Sequence, residues 1–158
     1  MTAYRRRRVG LISDTHGLLR PEAVEALRGS EFIVHAGDIG AAEILDRLSG
    51  IAPVTAVRGN NDTGPWAAAL NEVEVLKIDK AIICVVHDLA QLDIDPAAAG
   101  FHAVVSGHSH RPAIRDRDGV LYANPGSAGP RRFSLPVSVG SLVVARGQVQ
   151  ARLVTLDI

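Results

Sequence analysis

The segment Val9-Gly10-Leu11-Ile12-Ser13-Asp14-Thr15-His16 joins a short apolar run to a polar loop, and this combination indicates the fold class. A nearly continuous apolar run is typical of a strand that is buried on both faces. Similar runs return at 32–36 and 53–58, and residues 21–28 and 41–49 between them have helical spacing. The first half of the chain therefore predicts parallel strands joined by short helical crossovers.

The second half of the chain changes to antiparallel pairing. Pairs of apolar runs flank short polar turns, which predicts hairpins over 73–86, 113–122 and 137–156. One more buried strand is predicted at 103–106, and a single helical turn at 97–100. Because no repeat, linker or low-complexity tract interrupts the chain, we expect one α/β domain over residues 1–158.

The composition excludes several classes of protein. Hydrophobic residues make up 47% of the 158, which is enough for a core, and 17 basic against 17 acidic residues argue against a nucleic-acid binder. The single cysteine excludes a disulfide framework and a cysteine-built zinc site. No apolar run approaches the ~18 residues of a membrane span. No signal-peptide pattern follows the arginines at 5–8, so we expect a cytoplasmic protein with no membrane partner.

Side chains that can bind a metal follow five of the predicted strands at their carboxyl ends. They are Asp14, His16, Asp38, Asn60, His87, His108 and His110. In open α/β sheets ligands bind beyond these strand ends, so we expect the side chains to converge. Imidazole and carboxylate groups suit zinc, manganese, iron or nickel. Seven side chains are more ligands than one metal ion can use if it keeps a coordination position open for a substrate. Two ions that share one bridging carboxylate would use all seven.

Each of these residues also has a simpler interpretation. Asp38 could cap the following helix, and Asn60 and Asn61 beside a glycine could form a turn. Capping and turns do not explain why five strand ends all carry such groups. The two remaining histidines, His35 and His102, lie within or just before apolar strands, and we expect them to be packed core or edge residues.

The order of the motifs adds a family resemblance. Asp14-x-His16, Gly37-Asp38, Gly59-Asn60-x-Asp62, His87 and Gly107-His108-x-His110 resemble the motifs of the calcineurin-like metallophosphoesterases. The segment Asn124-Pro125-Gly126-Ser127 is similar to the small YfcE-like phosphodiesterase branch, which is related to the Vps29 subunit of retromer. The resemblance covers about residues 9–132. It implies an α/β fold, a four-layer α/β/β/α sandwich of two packed mixed sheets flanked by helices.

The resemblance also implies a two-metal site and a reaction. One ion would be bound by Asp14, His16, Asp38 and His110, and the other by Asp38, Asn60, His87 and His108. Such a pair activates a hydroxide for in-line attack on phosphorus. The implied function is a phosphodiesterase with a small phosphodiester substrate and with Asp38, Asn60 and His108 as catalytic residues. Mn²⁺ is expected from the oxygen content, with Ni²⁺, Fe²⁺ and Zn²⁺ open. The implied substrate-binding residues are Arg58, Asn61, Asn124 and Ser127.

Two positions depart from the family pattern. Asn61 stands where many members carry a histidine that could act as the general acid, which favours diesters with good leaving groups over monoesters. Asp88 stands where a glycine is usual, and a carboxylate that pointed inward would weaken phosphate attraction. We expect it to point outward as a solvated turn residue.

A protein-interaction scaffold of the Vps29 type is the alternative function, because one fold can serve several functions. A pure scaffold does not need all seven metal-binding groups, so their presence favours an enzyme. A homo-oligomer is left open. Nucleic-acid binding through the arginines at 5–8 is disfavoured by the zero net charge.

Overall fold

Two five-stranded sheets pack face to face in the computed structural model, which describes residues 5–158. The elements in chain order are β1 (Arg7–Ile12), α1 (Pro21–Leu27), β2 (Phe32–His35), α2 (Ala42–Ser49), β3 (Val54–Ala56), α3 (Pro65–Ala68), β4 (Val73–Ile78), β5 (Ala81–Val86), a 3₁₀ turn (Leu89–Gln91), β6 (Ala103–Val105), β7 (Ala113–Arg117), β8 (Val120–Asn124), β9 (Ser138–Ala145) and β10 (Gln148–Thr155).

Both sheets are mixed. The first has the order β10-β9-β1-β2-β3, with β1, β2 and β3 parallel and β9 antiparallel to β1. The second has the order β4-β5-β6-β8-β7, with β5, β6 and β8 parallel and antiparallel strands at both edges. The predicted α/β class with two packed mixed sheets is confirmed, as are the parallel crossovers of the first half and the three hairpins.

The core has three layers of apolar contacts. Alternate residues of β1, such as Val9 and Leu11, face the second sheet, while Ile12 faces α1 and α2. Gly10 allows α1 to approach β1, because a methyl group there would lie 2.8 Å from Leu27 Cδ2. The outer face of the second sheet is covered by the segment 89–101, which packs there through Leu92 among others and contains a 3₁₀ turn but no α-helix.

Two local predictions differ from the structure, and one short helix was not predicted. The helical turn predicted at 97–100 is a plain turn over residues 96–100, and the strand predicted at 53–58 forms only over Val54–Ala56. The four-residue helix α3 was not predicted, and its Trp66 packs partly buried against the helical side of the first sheet. Short elements such as these depend on tertiary contacts more than on local propensity.

Most of the arginines at 5–8 have partners within the protein. Arg5 and Arg7 pair with Glu31 at 2.7 and 3.1 Å, and Arg8 donates to two backbone carbonyl groups around the end of α1. These contacts fit a structural role for the run. No helix among residues 5–158 is long and apolar enough to cross a bilayer.

Candidate metal centre

The carboxyl ends of five strands meet at one edge of the two sheets. Asp14 follows β1, Asp38 follows β2, Asn60 follows β3, His87 follows β5 and His108 follows β6. Backbone hydrogen bonds tie the first two loops together, because Asp14 N–H donates to Gly37 O at 3.0 Å and His16 N–H donates to Asp38 O at 2.9 Å. The predicted convergence of these side chains follows from that parallel arrangement.

Five of the seven predicted metal ligands have a left-handed backbone. Their φ values are 55° for Asp14, 47° for His16, 55° for Asp38, 72° for His108 and 62° for His110. This conformation is disfavoured by roughly 1–2 kcal/mol for a residue with a Cβ atom. Residues held in such conformations cluster at functional sites, where the surrounding structure enforces them.

One cluster is formed by Asp14, His16 and His110. Asp14 Oδ1 lies 3.3 Å from His110 Nε2 and 3.7 Å from His16 Nε2, and the two imidazole nitrogens are 3.4 Å apart. The other carboxylate oxygen, Asp14 Oδ2, accepts from the Ser13 hydroxyl at 2.6 Å and from His108 N–H at 3.1 Å. These bonds orient the buried carboxylate so that Oδ1 faces the histidines.

A second cluster is formed by Asp14, Asp38 and His87. His87 Nε2 lies 3.2 Å from Asp38 Oδ2 and 3.9 Å from Asp14 Oδ1. The ring is fixed because Nδ1–H donates to Ala36 O at 2.7 Å, which leaves Nε2 to face the carboxylates. Asn61 holds Asp38 with two bonds, one from its N–H to Oδ1 at 2.9 Å and one from Nδ2 to Oδ2 at 3.1 Å.

Burial and neighbouring charges act in opposite directions on the pKa values of Asp38 and His87. Burial raises the pKa of Asp38, but the nearby His87 imidazole and the bond from Asn61 N–H outweigh it and hold the pKa well below its usual range. Burial lowers the pKa of His87, but the nearby Asp38 carboxylate, the bond to the Ala36 carbonyl group and the charge of Asp14 raise it overall. For His110 burial dominates and lowers the pKa. Asp14 opposes this effect, and the charge of Arg132 adds to it.

Three buried atoms of the two clusters lack a hydrogen-bond partner. They are Asp14 Oδ1, His87 Nε2 and His110 Nδ1. An unsatisfied buried polar atom is unfavourable, and a buried carboxylate oxygen especially so. The ligand atoms of each cluster all lie within 4.8 Å of one another. The donor set therefore fits divalent cations. Asp14 is common to both clusters, whereas the family resemblance implied that Asp38 bridges.

Asn60 and His108 lie at the rim of an open cleft beside the clusters. The cleft has a volume of about 380 Å³ and is lined by Arg58, Asn60, Glu72, Val73, Val86, His87, Asp88, Gln91 and His108. His108 is half exposed, and its ring meets the His87 ring edge-on with centroids 5.2 Å apart. Arg58, which also lines the cleft, pairs with Glu72 at 3.3 Å.

The predicted outward orientation of Asp88 is wrong. Its Oδ1 accepts from Ala90 N–H at 3.0 Å and so caps the 3₁₀ turn. This bond directs Oδ2 into the cleft, where it lies 3.7 Å from His108 Nε2. A negative charge therefore stands beside the candidate centre at a position where the family resemblance implied a glycine.

Like Arg58 and Asn61, the other two residues predicted to bind substrate have bonds within the protein. Asn124 Nδ2 donates to Gly107 O at 3.0 Å and to Ser109 Oγ at 3.1 Å, which shapes the loop that carries two of the histidines. The buried Ser127 hydroxyl donates to Asp14 O at 3.0 Å. Both side chains position loops of the centre, and a direct contact with substrate stays a prediction.

Three supporting residues were given no role in the site by the sequence. The buried Asp62 ties the β2 and β3 loops together, because it accepts from the N–H groups of Ile39, Gly40 and Gly59 at 2.9–3.0 Å. Its presence in the Gly59-Asn60-x-Asp62 motif was the available signal.

The other two are His35 and Thr15. His35 Nε2–H donates to Thr15 Oγ1 at 3.0 Å, Nδ1 accepts from Gly37 N–H, and the Thr15 hydroxyl donates to Ile39 O. Burial lowers the pKa of His35 to about 3, so the ring stays neutral. The interpretation of His35 as a packed core residue is confirmed. So is that of His102, whose Nδ1 accepts from a neighbouring backbone N–H at 3.0 Å.

Comparisons with known proteins agree with this geometry. The sequence profile described as the calcineurin-like phosphoesterase superfamily domain matches residues 8–147. A probable metallophosphoesterase of Methanothermobacter thermautotrophicus is 34% identical over 140 residues, which cover 81% of each chain. The phosphodiesterase YfcE of Escherichia coli is 28% identical, over 82% of this chain and 84% of its own. Among solved structures, Vps29 of Cryptosporidium parvum shares the fold, with a TM-score of 0.76 and 19% identity. The match covers 97% of this chain and 99% of the Vps29 chain.

Proposed function

The chain belongs to the calcineurin-like phosphoesterase superfamily, and on this basis we propose that it is a phosphodiesterase with two divalent metal ions. The observation that carries the proposal is the unpartnered Asp14 Oδ1. This buried oxygen faces imidazole nitrogens of His110, His16 and His87 at 3.3, 3.7 and 3.9 Å. A carboxylate among imidazoles is a donor set that suits divalent transition metals.

The ligands we propose are the seven residues at the strand ends. Asp14, His16, Asp38 and His110 would hold one ion, and Asp38, Asn60, His87 and His108 the other. When bound, such ions supply an activated water molecule and neutralise the charge that develops on the phosphoryl oxygens. Manganese is our choice of metal because carboxylate and amide oxygens suit it.

The residues around the centre would set its geometry before a substrate arrives. Asn61 holds Asp38 by two bonds, and the Ser13 hydroxyl and His108 N–H hold Asp14. Fixed carboxylates of this kind need little reorganisation during the reaction, which is the main source of electrostatic catalysis. Asp38, Asn60 and His108 border the site where the ester would react, and we assign catalysis to them.

The substrate would enter through the cleft of about 380 Å³. Arg58 at its rim provides a positive charge for a phosphate, although Glu72 shares that charge at 3.3 Å. Asn61 has no acidic proton to give to a leaving group, so a poor leaving group would depart slowly. The absence of a proton donor at Asn61 therefore favours diesters whose leaving group has a low pKa over simple alkyl monoesters.

The test combines metal analysis with paired substrates. The protein is purified without chelator, its metal is measured by elemental analysis, and bis(4-nitrophenyl) phosphate is compared with 4-nitrophenyl phosphate in added Mn²⁺. We expect bound metal and faster turnover of the diester. Asp38→Asn and His108→Ala should abolish turnover, whereas Asp46→Asn, a control at an exposed carboxylate of α2, should not. Activity that survives the first two substitutions would refute the proposed centre.

A protein-interaction scaffold is the second candidate, since the fold alone does not establish catalysis. A scaffold gives no reason for an unpartnered carboxylate oxygen among three imidazoles. Absence of both metal and turnover in the test above would favour the scaffold. A homo-oligomeric state and a cytoplasmic location stay predictions.

A further inference from the structure

Phe133 has an unusual backbone and an unusual exposure. Nine non-glycine residues among 5–158 have a positive φ, and five of them are proposed metal ligands. Three more, Asp79, Asp118 and Arg146, lie in the turns of the β-hairpins. The ninth is Phe133, with a φ of 54°, and its side chain is 92% exposed. A left-handed conformation is unfavourable for a bulky residue, and the exposed side chain of Phe133 gains no packing that would compensate it.

The loop that carries Phe133 starts against the candidate centre. Ala128 N–H donates to Ser13 O at 3.0 Å, and a methyl group on Gly129 would lie 2.5 Å from Asp14 O. Leu135 N–H then donates to Arg132 O at 3.1 Å and closes a tight turn. The turn at 132–135 therefore lies within a few residues of the loop that positions Asp14.

A free positive charge precedes the aromatic ring. Arg131 and Arg132 are exposed, and neither forms an ion pair within residues 5–158. Arg132 is the residue that opens the turn, because its carbonyl oxygen accepts from Leu135 N–H at 3.1 Å, whereas Arg131 lies before the turn. A guanidinium group matches the oxygens of a phosphate, and an exposed ring offers a flat face for stacking.

We propose that the turn at 132–135 recognises the substrate, with Phe133 stacked on a nucleobase and Arg132 bound to the phosphate beside the metal centre. The substrate class is then nucleotide phosphodiesters. This inference rests on the proposed phosphodiesterase function.

The first test compares two diesters that differ in their bases. Dithymidine monophosphate carries a base on each side of its diester, whereas glycerophosphoglycerol carries no base. The value of kcat/KM for each diester is measured by chromatography of the products. Phe133→Ala should lower kcat/KM for the dinucleotide about fivefold or more and leave the base-free diester within about twofold. Phe133→Trp should restore the dinucleotide rate, because its ring also stacks.

The second test addresses the arginine and binding without turnover. Arg132→Gln should lower kcat/KM for both diesters by a similar factor, while Arg131→Gln, a matched loss of charge one residue away, should change neither. By calorimetry, thymidine 5′-monophosphate should bind Phe133→Ala more weakly than the wild type, whereas inorganic phosphate should bind both equally.

The outcomes separate this inference from the proposed function. If the wild-type protein with bound metal cleaves neither diester, the phosphodiesterase proposal fails, and the calorimetry still decides recognition. If both diesters are cleaved and Phe133→Ala slows both equally or neither, the stacking role is overturned. A change of oligomeric state in Phe133→Ala, seen by sedimentation, would assign the ring to a contact between chains and overturn it as well.

Discussion

Gly59→Ala places a methyl group against one of the two central carboxylates. Gly59 follows β3, and its φ is outside the left-handed region, so alanine can adopt the same backbone. The new Cβ would lie 2.8 Å from Asp38 Cγ and nearer still to Asp38 N and Oδ1. The substitution therefore acts through this contact and not through backbone strain.

The size of the expected effect follows from these distances. Non-bonded carbon atoms prefer separations of roughly 3.5–4.0 Å, so Asp38 must move by about 0.7 Å or more. Asp38 Oδ2 now lies 3.2 Å from His87 Nε2, and such a shift would break the spacing that a shared ion needs. A misplacement of about 1 Å can lower a rate about 100-fold. Overpacking would also lower the free energy of unfolding by about 1–3 kcal/mol.

The assay measures Mn²⁺ affinity by calorimetry and kcat/KM for a diester, with thermal unfolding as a check of folding. The matched control is Gly50→Ala at the end of α2, where the methyl group would approach only Arg47 O, at 3.2 Å. We expect both affinity and kcat/KM to fall about 100-fold in Gly59→Ala and to stay within about twofold in the control. Wild-type affinity in a folded Gly59→Ala protein would refute the proposed role of Asp38.

Three further predictions concern pH, charge and metal. Burial holds the pKa of His35 near 3, below its value of 6.5 in an unfolded chain, so the unfolded state gains a proton first as the pH falls. The free energy of unfolding should therefore fall by about 1.4 kcal/mol per pH unit between about pH 6 and 4. In urea titrations at several pH values, His35→Asn should show a smaller dependence of this free energy on pH than the wild type. An equal dependence in both proteins would contradict the role of His35. Asp88→Asn keeps the acceptor for Ala90 N–H but removes the negative charge 3.7 Å from His108. Without this charge a phosphate should bind more tightly, so KM for a diester should fall roughly fivefold in steady-state kinetics. An unchanged KM would exclude repulsion of the substrate by Asp88. Mn²⁺ at 100 times its Kd should raise the Tm of the wild type by about 5–10 °C in calorimetric scans. If Mn²⁺ raised the Tm of Asp38→Asn by the same amount, Asp38 would not be a ligand of the proposed metal centre.

Most of the fold was predictable because burial is recorded in the spacing of apolar residues. The runs at 9–13 and 32–36 are apolar on both faces because two sheets and two helices enclose them. Which strands pair was not predictable. The last hairpin lies beside β1, more than 120 residues away, and such pairings depend on the whole sheet.

The type of each metal-binding group was predictable, but its orientation was not. The outward orientation expected for Asp88 was wrong because a cap on a 3₁₀ turn, itself unpredicted, directs the carboxylate into the cleft. Asp62 and Thr15 were given no role because their partners belong to other strand loops.

The donor atoms, their order and their place after apolar strands could be read from the amino-acid sequence, because each of these is a local property of a few residues. Which oxygen of Asp14 lacks a hydrogen-bond partner depends on contacts between distant parts of the fold. That choice depends on the Ser13 hydroxyl and on His108 N–H, a donor 94 positions along the chain. A hydrogen bond between distant segments has no trace in local spacing, because it forms only when both sheets have packed and their loops share one edge.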